Sequence, residues 1–370
     1  MKSRNELNQK VSPFFRRAVR FGGAFAMIGS TFACSSSEVA GEPSVAPVEQ
    51  SAPLSSTTTI QESVIGDTAP LTGLVALSEL PDSVLAIKID NSPDAWPQVG
   101  INQADIVFEE NVEGWTRFIA VFHSQQSDPV GPIRSIRTQD VDILNSFGTV
   151  GLVGSGGNEK VLAAIGNSSL LNLSYTGWDD VGDFYRDEKR QSPHNLFAST
   201  TKLFEGITAT SSEVQPQFSY ADQTMSNGSR PVGGLILQMK GSMRAVWQWN
   251  QQTERYERFN EYEAAIDSAG QPVTSDNVIA VVTSYRPSKA DPRSPEAITV
   301  GTGDVAVFSG GNLQVGFWSR DDNTSPWTLT SSDGQPIFLK PGRTWVELVT
   351  PDQVGVLALG QDISLVQWPS

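Results

Sequence analysis

Three apolar runs in the first half of the chain break off in charged or amide side chains. Residues 84–89 (VLAIKI) run into Asp90 and Asn91. Residues 106–108 run into Glu109 and Glu110, and residues 116–123 return from that turn with Arg117 near their start. Continuous apolar runs of this length predict buried strands, and strands that end in polar clusters predict a sheet with a polar rim. Such rims are where open α/β sheets bind ligands. The pattern then predicts a short edge strand over 130–136, broken by Pro132, and a helix over 140–147 from the spacing of Val141, Leu144 and Phe147. A strand over 149–154 leads through Ser155-Gly156-Gly157-Asn158 into a helix over 159–165. Backbone N–H groups in such a turn can cradle an anion, but the spacing and lysine of a P-loop are missing, and a tight strand–helix turn explains it as well. A further helical segment over 201–206 has Asn195 or Ser199 as candidate caps.

The second half changes character. Residues 233–239 predict a strand, 245–259 a hairpin turning at 250–253, and 276–285 a buried strand, with short alternating runs and Gly, Asp or Asn between them to the end. The fold class expected is α+β. An N-terminal α/β domain with a mixed sheet occupies residues 70–212, a linker 213–230, and a smaller, mostly-β domain 231–370. Trp247, Trp249, Trp318, Trp327 and Trp345 fit either a carbohydrate-stacking platform or, as such aromatics more often do, the core of a small β domain.

The N-terminus reads as an address. Six basic residues lie within 1–20, residues 21–32 form an apolar run too short to span a bilayer, and Ala33 precedes Cys34, the sole cysteine. Thr-Phe-Ala-Cys resembles a lipobox, with Thr31 standing where an aliphatic residue is preferred. This predicts a signal peptide over 1–33, lipidation of Cys34 and attachment to the cell membrane on its extracytoplasmic face. Arg16-Arg17 fits a twin-arginine signal poorly. Residues 35–69 are rich in Ser, Thr, Pro and Ala and nearly devoid of aromatics, as in a flexible stalk.

Charge narrows the partners. The chain carries 26 basic and 41 acidic residues, a formal −15. A chain beginning at Cys34 would hold 20 against 40, a formal −20. That disfavours nucleic acid and anionic lipid surfaces while leaving room for a local basic pocket. One cysteine forbids an intramolecular disulfide and a cysteine zinc site, and only His123 and His194 remain as imidazole ligands.

Within the polar rim, Arg117, Arg134 and Arg137 suit bidentate capture of phosphate or carboxylate. Ion pairing with Glu109, Glu110, Glu113 or Asp140 is the structural alternative. His194 is a candidate proton carrier or a loop-fixing hydrogen bonder beside Asn195, and His123 is structural. Asp90 and Asn91 suit a turn better than a metal. A binding site would draw on Arg117, Arg134, Arg137, Asp90, Asn91, Glu113 and Asn195, and catalysis on His194 and Asp140.

The strings PLTGL, AIKIDN, ADIVFEENVEGWTRFIAVF, GPIRSIR and SPHNLF, with DNVIAVV and KPGRTWVEL further on, resemble the YerB-like lipoproteins of bacteria from residue 70 to about 351. The resemblance implies an exported lipoprotein with paired N- and C-terminal domains, and no activity. A few residues, an Asp after one strand and S-I-R-T-x-D after a later one, also resemble the layout of LytR-CpsA-Psr phosphotransferases, which attach polymers to peptidoglycan. In a site for an anionic ligand, Asp90 and Asp140 would hold Mg²⁺ and His194 would move a proton. Two functions remain open: a binder or enzyme for an anionic envelope ligand such as a phosphorylated lipid-linked sugar or wall glycan, and a non-catalytic adaptor docking on envelope proteins.

Overall fold

A computed structural model describes residues 67–175, 181–207, 212–222, 228–239 and 243–369. Cys34, the signal segment and the stalk lie outside the described residues. The apolar runs become the strands their pattern predicts. β1 (Val84–Asp90), β2 (Ile106–Asn111) and β3 (Thr116–Phe122) are buried along their whole lengths. Both faces are covered, which is why they read as continuous apolar runs rather than alternating ones. β4 (Val150–Val153) and β5 (Leu171–Asn172) follow, with α1 (Gln139–Leu144), α2 (Glu159–Gly166) and α3 (Thr200–Glu205) around them. Asn158 caps α2 by accepting from the Val161 N–H at 3.0 Å, and Ser199 caps α3 from Lys202 N–H at 3.1 Å.

The C-terminal half adds β6 (Gly234–Gln238), β7 (Arg244–Asn250), β8 (Arg255–Asn260), β9 (Asn277–Val282), β10 (Gly301–Ser309), β11 (Asn312–Arg320), β12 (Thr328–Ser331), β13 (Thr344–Val349) and β14 (Val354–Leu357). The main sheet runs β12-β11-β10-β9-β13-β2-β3-β1-β4-β5. β13 therefore lies between β9 and β2, parallel to both, so one sheet joins the two halves of the sequence. A second sheet, built on β8-β7-β6-β14, packs over part of it. The architecture is α+β with strands dominant.

The two large cores follow the strand alternation. Leu85, Ile87, Ile89, Val107 and Phe118 lie on the face covered by the second sheet and α3, in one cluster with Leu203, Trp247 and Trp345. Val84, Ala86, Ile106, Phe108 and Ile119 face α1 and α2 with Trp318 and Trp327. Each fully buried apolar side chain of this kind contributes roughly 1.5–3 kcal/mol. Trp247, Trp318, Trp327 and Trp345 are at most 4% exposed and fill cores, so they form no surface platform. Trp247 and Trp318 satisfy their indole N–H groups internally, on Glu347 Oε1 at 2.8 Å and Val282 O at 2.9 Å. The segment 130–136 makes no strand. Pro132 withholds a donor, and single bridges tie Val130 to Ala198, Gly131 to Val99 and Ile133 to Ile89.

Candidate functional site

On the helix-facing side, three adjacent strands turn from apolar to charged at the same end. β1 presents Val84, Ala86, Lys88 and Asp90. β2 presents Ile106, Phe108 and Glu110, and antiparallel β3 supplies Arg117 in register with both Asp90 and Glu110. The period of two that builds the core thus also gathers the charges in one layer at the rim.

The bottom of this layer is sealed. Lys88, Glu110 and Asp140 are fully buried, the Lys88 ammonium bonding Glu110 Oε1 and, at 3.0 Å, Asp140 Oδ1. Burial pushes the Glu110 carboxyl up to about 7, and the attraction of Lys88 only partly opposes it. Asp140 Oδ2 accepts the Arg137 N–H at 2.8 Å. Asp140, a candidate for catalysis, instead anchors the arginine segment to the start of α1 and has no exposed surface.

Above it the arginines converge. Arg117 is buried and donates to Ser135 O at 3.0 Å. Burial, then repulsion from Arg137 and Arg134, lowers its guanidinium to about 10, so it is both desolvated and surrounded by like charge. Arg137 makes a fork with Glu113, Nε to Oε1 at 3.1 Å and Nη2 to Oε2 at 2.8 Å. Burial raises the Glu113 carboxyl, but the bonds from Arg137 and Ser294 outweigh it and hold it at about 2. Arg134 Nε lies 3.0 Å from Asp90 Oδ2, off the hydrogen-bond axis. Three guanidinium groups thus converge at the rim, where Arg134 meets Asp90 and Arg137 meets Glu113.

A cavity of about 360 Å³ opens beside Arg137, lined also by Glu113, Ser135, the loop 155–158 and, from the C-terminal half, Ser288, Asp291 and Ser294. The loop is bound to the arginine segment, Ser155 N–H on Arg134 O at 2.9 Å and Ile136 N–H on Gly156 O at 3.0 Å. Gly154 permits this approach, since a Cβ there would lie 2.5 Å from Ile136 and 3.0 Å from Arg134 O. Asn158, which caps α2, and Val161 in its first turn line the same cavity.

His194 sits beside this cavity and does not line it. Its Nδ1 is 2.7 Å from Asp90 Oδ2 and 3.0 Å from Ser92 Oγ, and Nε2 is 3.9 Å from Asp94. Serine and aspartate share one ring nitrogen, so Ser92, His194 and Asp90 do not form a nucleophilic relay, which uses opposite nitrogens. Asp90 Oδ1 accepts the Ser92 N–H at 3.0 Å and closes an Asx turn. Asn91 points to the opposite face, donating to Thr116 Oγ1 at 2.8 Å and Glu109 Oε1 at 3.1 Å. Asn195 is held by Arg186 and by Asp187 O in a separate loop. The geometry therefore brings together Arg117, Arg134, Arg137, Asp90, Glu113 and His194, and separates Asn91, Asn195 and Asp140 from the opening. Among the described residues no group of three or more His, Cys, Asp or Glu side chains is placed to hold a metal ion. Lys88 and Ser135, absent from the sequence candidates, are contributors; Lys88 was legible as a lone cation in an otherwise apolar strand.

Comparison with known proteins agrees with this two-part chain. Residues 71–214 match the N-terminal domain, and residues 235–346 the C-terminal domain, of the protein of unknown function DUF3048. The chain is 26% identical over 319 residues to the "Putative lipoprotein YerB" of Bacillus subtilis (strain 168), covering 82% of this chain and 94% of that one. The crystal structure of the YerB protein from Bacillus subtilis superposes with a TM-score of 0.65 at 25% identity, over 77% of this chain and 97% of that one.

Proposed function

Because the chain belongs to the DUF3048 family, whose function is unknown, we propose its role from the site: it is an exported, lipid-anchored envelope protein that binds an anionic ligand between Arg137 and the loop 155–158. The crowding of three guanidinium groups at the rim carries this reading. With Arg134 facing Asp90 and Arg137 facing Glu113, Arg117 hydrogen-bonds the Ser135 carbonyl and feels the attraction of Glu113 and Asp90 from beyond ion-pair contact. A phosphate or carboxylate bound by Arg137 at the cavity wall would offset the repulsion that Arg137 exerts on the buried Arg117. The order of basic region, apolar run and Cys34, together with a relative named as a lipoprotein, supports the anchor. A membrane-tethered domain of strongly acidic net charge attracts anions only at such a local exception.

The test is titration of the full-length protein in detergent with inorganic pyrophosphate, a phosphorylated wall polymer and a neutral glycan, each with and without Mg²⁺. Saturable binding of the two anions is expected, weakened about tenfold or more by Arg137→Ala or Arg134→Ala at unchanged Tm, as loss of a charge-assisted hydrogen bond implies. Equal affinity in parent and folded variants, or no anion binding at all, would sink the reading.

A further inference from the structure

The hairpin turn between β2 and β3 has two sides. Glu113 leans into the arginine cavity, while Trp115, two residues on, lines a second cleft of about 460 Å³. Trp96, Trp115 and Tyr262 contribute aromatic surface to that cleft, and Arg244, Asn260 and Glu263 contribute polar groups. The first two rings come from the N-terminal half and the rest from β7, β8 and the turn after them, so the cleft exists only where the halves meet.

The rings are held in place. Trp96 donates its indole N–H to Asn91 Oδ1 at 3.1 Å, and Trp115 packs on the core beneath. Tyr262 is 45% exposed, yet its hydroxyl accepts from Trp368 Nε1 at 3.1 Å and the two rings lie 5.7 Å apart. Arg244 stands 5.3 Å over the Trp368 ring and pairs with Glu261 at 3.2 Å. One exposed and two half-buried rings, held in position around a concavity, are a mark of a binding groove, because isolated surface rings seldom receive such support. The Oδ1 of Asn260 is buried without a hydrogen-bond partner, an unmet acceptor at the wall of the cleft.

We infer that this cleft is a saccharide-binding subsite. A pyranose ring presents a flat patch of C–H groups on its faces and hydroxyl donors and acceptors around its edge. The first suits Trp115 and Tyr262. The second suits Asn260, Glu263 and the guanidinium of Arg244. A purely apolar ligand would leave these polar groups desolvated and unpaired, and a free anion would meet two carboxylates, Glu261 and Glu263, beside one arginine. The cleft is separate from the arginine cavity and stands whether or not that cavity binds anions.

Saturation-transfer NMR and titration with two neutral tetramers, β-1,4-linked N-acetylglucosamine and α-1,4-linked glucose, would test this on the full-length protein. At least one should bind saturably. Tyr262→Ala should weaken it about tenfold and Tyr262→Phe about twofold or less, since the ring face and not the hydroxyl makes the contact. Trp115→Ala should act like Tyr262→Ala if it folds, and Arg137→Ala should leave saccharide affinity unchanged. Failure of both tetramers to bind at millimolar concentration overturns the inference, as does full affinity in Tyr262→Ala.

Discussion

Glu109 and Glu110 are consecutive residues of β2, equally inaccessible to solvent, and they end in opposite layers of the protein. Glu110 joins Lys88 and Asp140 on the helix side. Glu109 pairs with Arg258 of the second sheet at 2.9 Å and lies in register with Glu347 of β13, which Arg258 reaches at 3.3 Å. Each cluster thus sets one cation against two carboxylates. One positive charge cannot neutralise both in a dry interior, so burial pushes one carboxyl upward in each: Glu110 to about 7, and Glu347 well above its usual range, with Glu109 adding to the effect. The difference lies in the cation. Arg258 spreads its charge over the faces of Phe118, Trp247 and Trp345, with centroid distances of 5.6, 5.5 and 5.3 Å, and ties the two sheets together. Lys88 is a point charge on β1 that fixes the start of α1 and hence the floor of the arginine rim. The first cluster is a joint between halves and the second a foundation for the site.

Breaking the joint should have the largest effect. Arg258→Ala leaves Glu109 and Glu347 buried without a cation and removes the partner of three aromatic rings. The expected cost is about 3–5 kcal/mol, read as a fall in the urea midpoint of the whole chain. Because β13 sits inside the main sheet, both halves should lose protection together in hydrogen exchange. Loss confined to residues 234–357 would mean that the halves are energetically separate.

Titration should distinguish the foundation. The Glu110 pKa is raised from 4.5 to about 7 on folding, so the folded state holds the extra proton. Its contribution to stability is complete below about pH 4.5 and fades as pH rises through about 7. The parent should therefore weaken between pH 5 and 8, by an amount on the order of 3 kcal/mol at most. Glu110→Gln, which cannot ionise, should show a shallower profile in urea melts over the same window. Identical slopes would place the titration elsewhere.

How far this was legible in the sequence depends on the range of the interaction. Strands and helices of the first half follow from local apolar spacing, and the arginine triplet from residues lying close in the chain. Arg134 and Arg137 are three residues apart, and Arg117 faces them from the start of β3, across the loop that follows that strand. The insertion of β13 beside β2 is not local. Trp345 and Val107 are paired neighbours separated by more than 230 residues, and no periodicity marks that partnership. Glu109 and Glu110 look alike in sequence, and only the pleat, fixed once β2 is placed, sends one to Arg258 and the other to Lys88. Asp140 and Asn195 carried chemistry by residue type, yet Lys88 in one case and Arg186 in the other already use it. The aromatic cleft leaves no mark in the sequence for the same reason as β13: Trp115 and Tyr262 meet only after the halves do.

The smallest effect on stability carries the most information about the site. Glu113 and Arg137 are both partly exposed, so screening limits what their pair contributes, and Glu113→Gln should cost about 1 kcal/mol or less. The Glu113 carboxyl is depressed from 4.5 to about 2, so that small contribution exists above about pH 4.5 and disappears as pH falls towards 2. The consequence for binding runs the other way. In the parent an incoming anion must compete with Glu113 for the Arg137 fork, whereas in Glu113→Gln one arm of the fork loses its acceptor and one negative charge has left the cavity wall. Pyrophosphate affinity should rise, by up to about tenfold, while Tm at pH 7 stays near the parent value. An affinity that falls together with that of Arg137→Ala would mean that Glu113 orients the guanidinium for the ligand instead of occupying it. An unchanged affinity would remove Arg137 from the binding surface and leave the arginines to hold the rim in place.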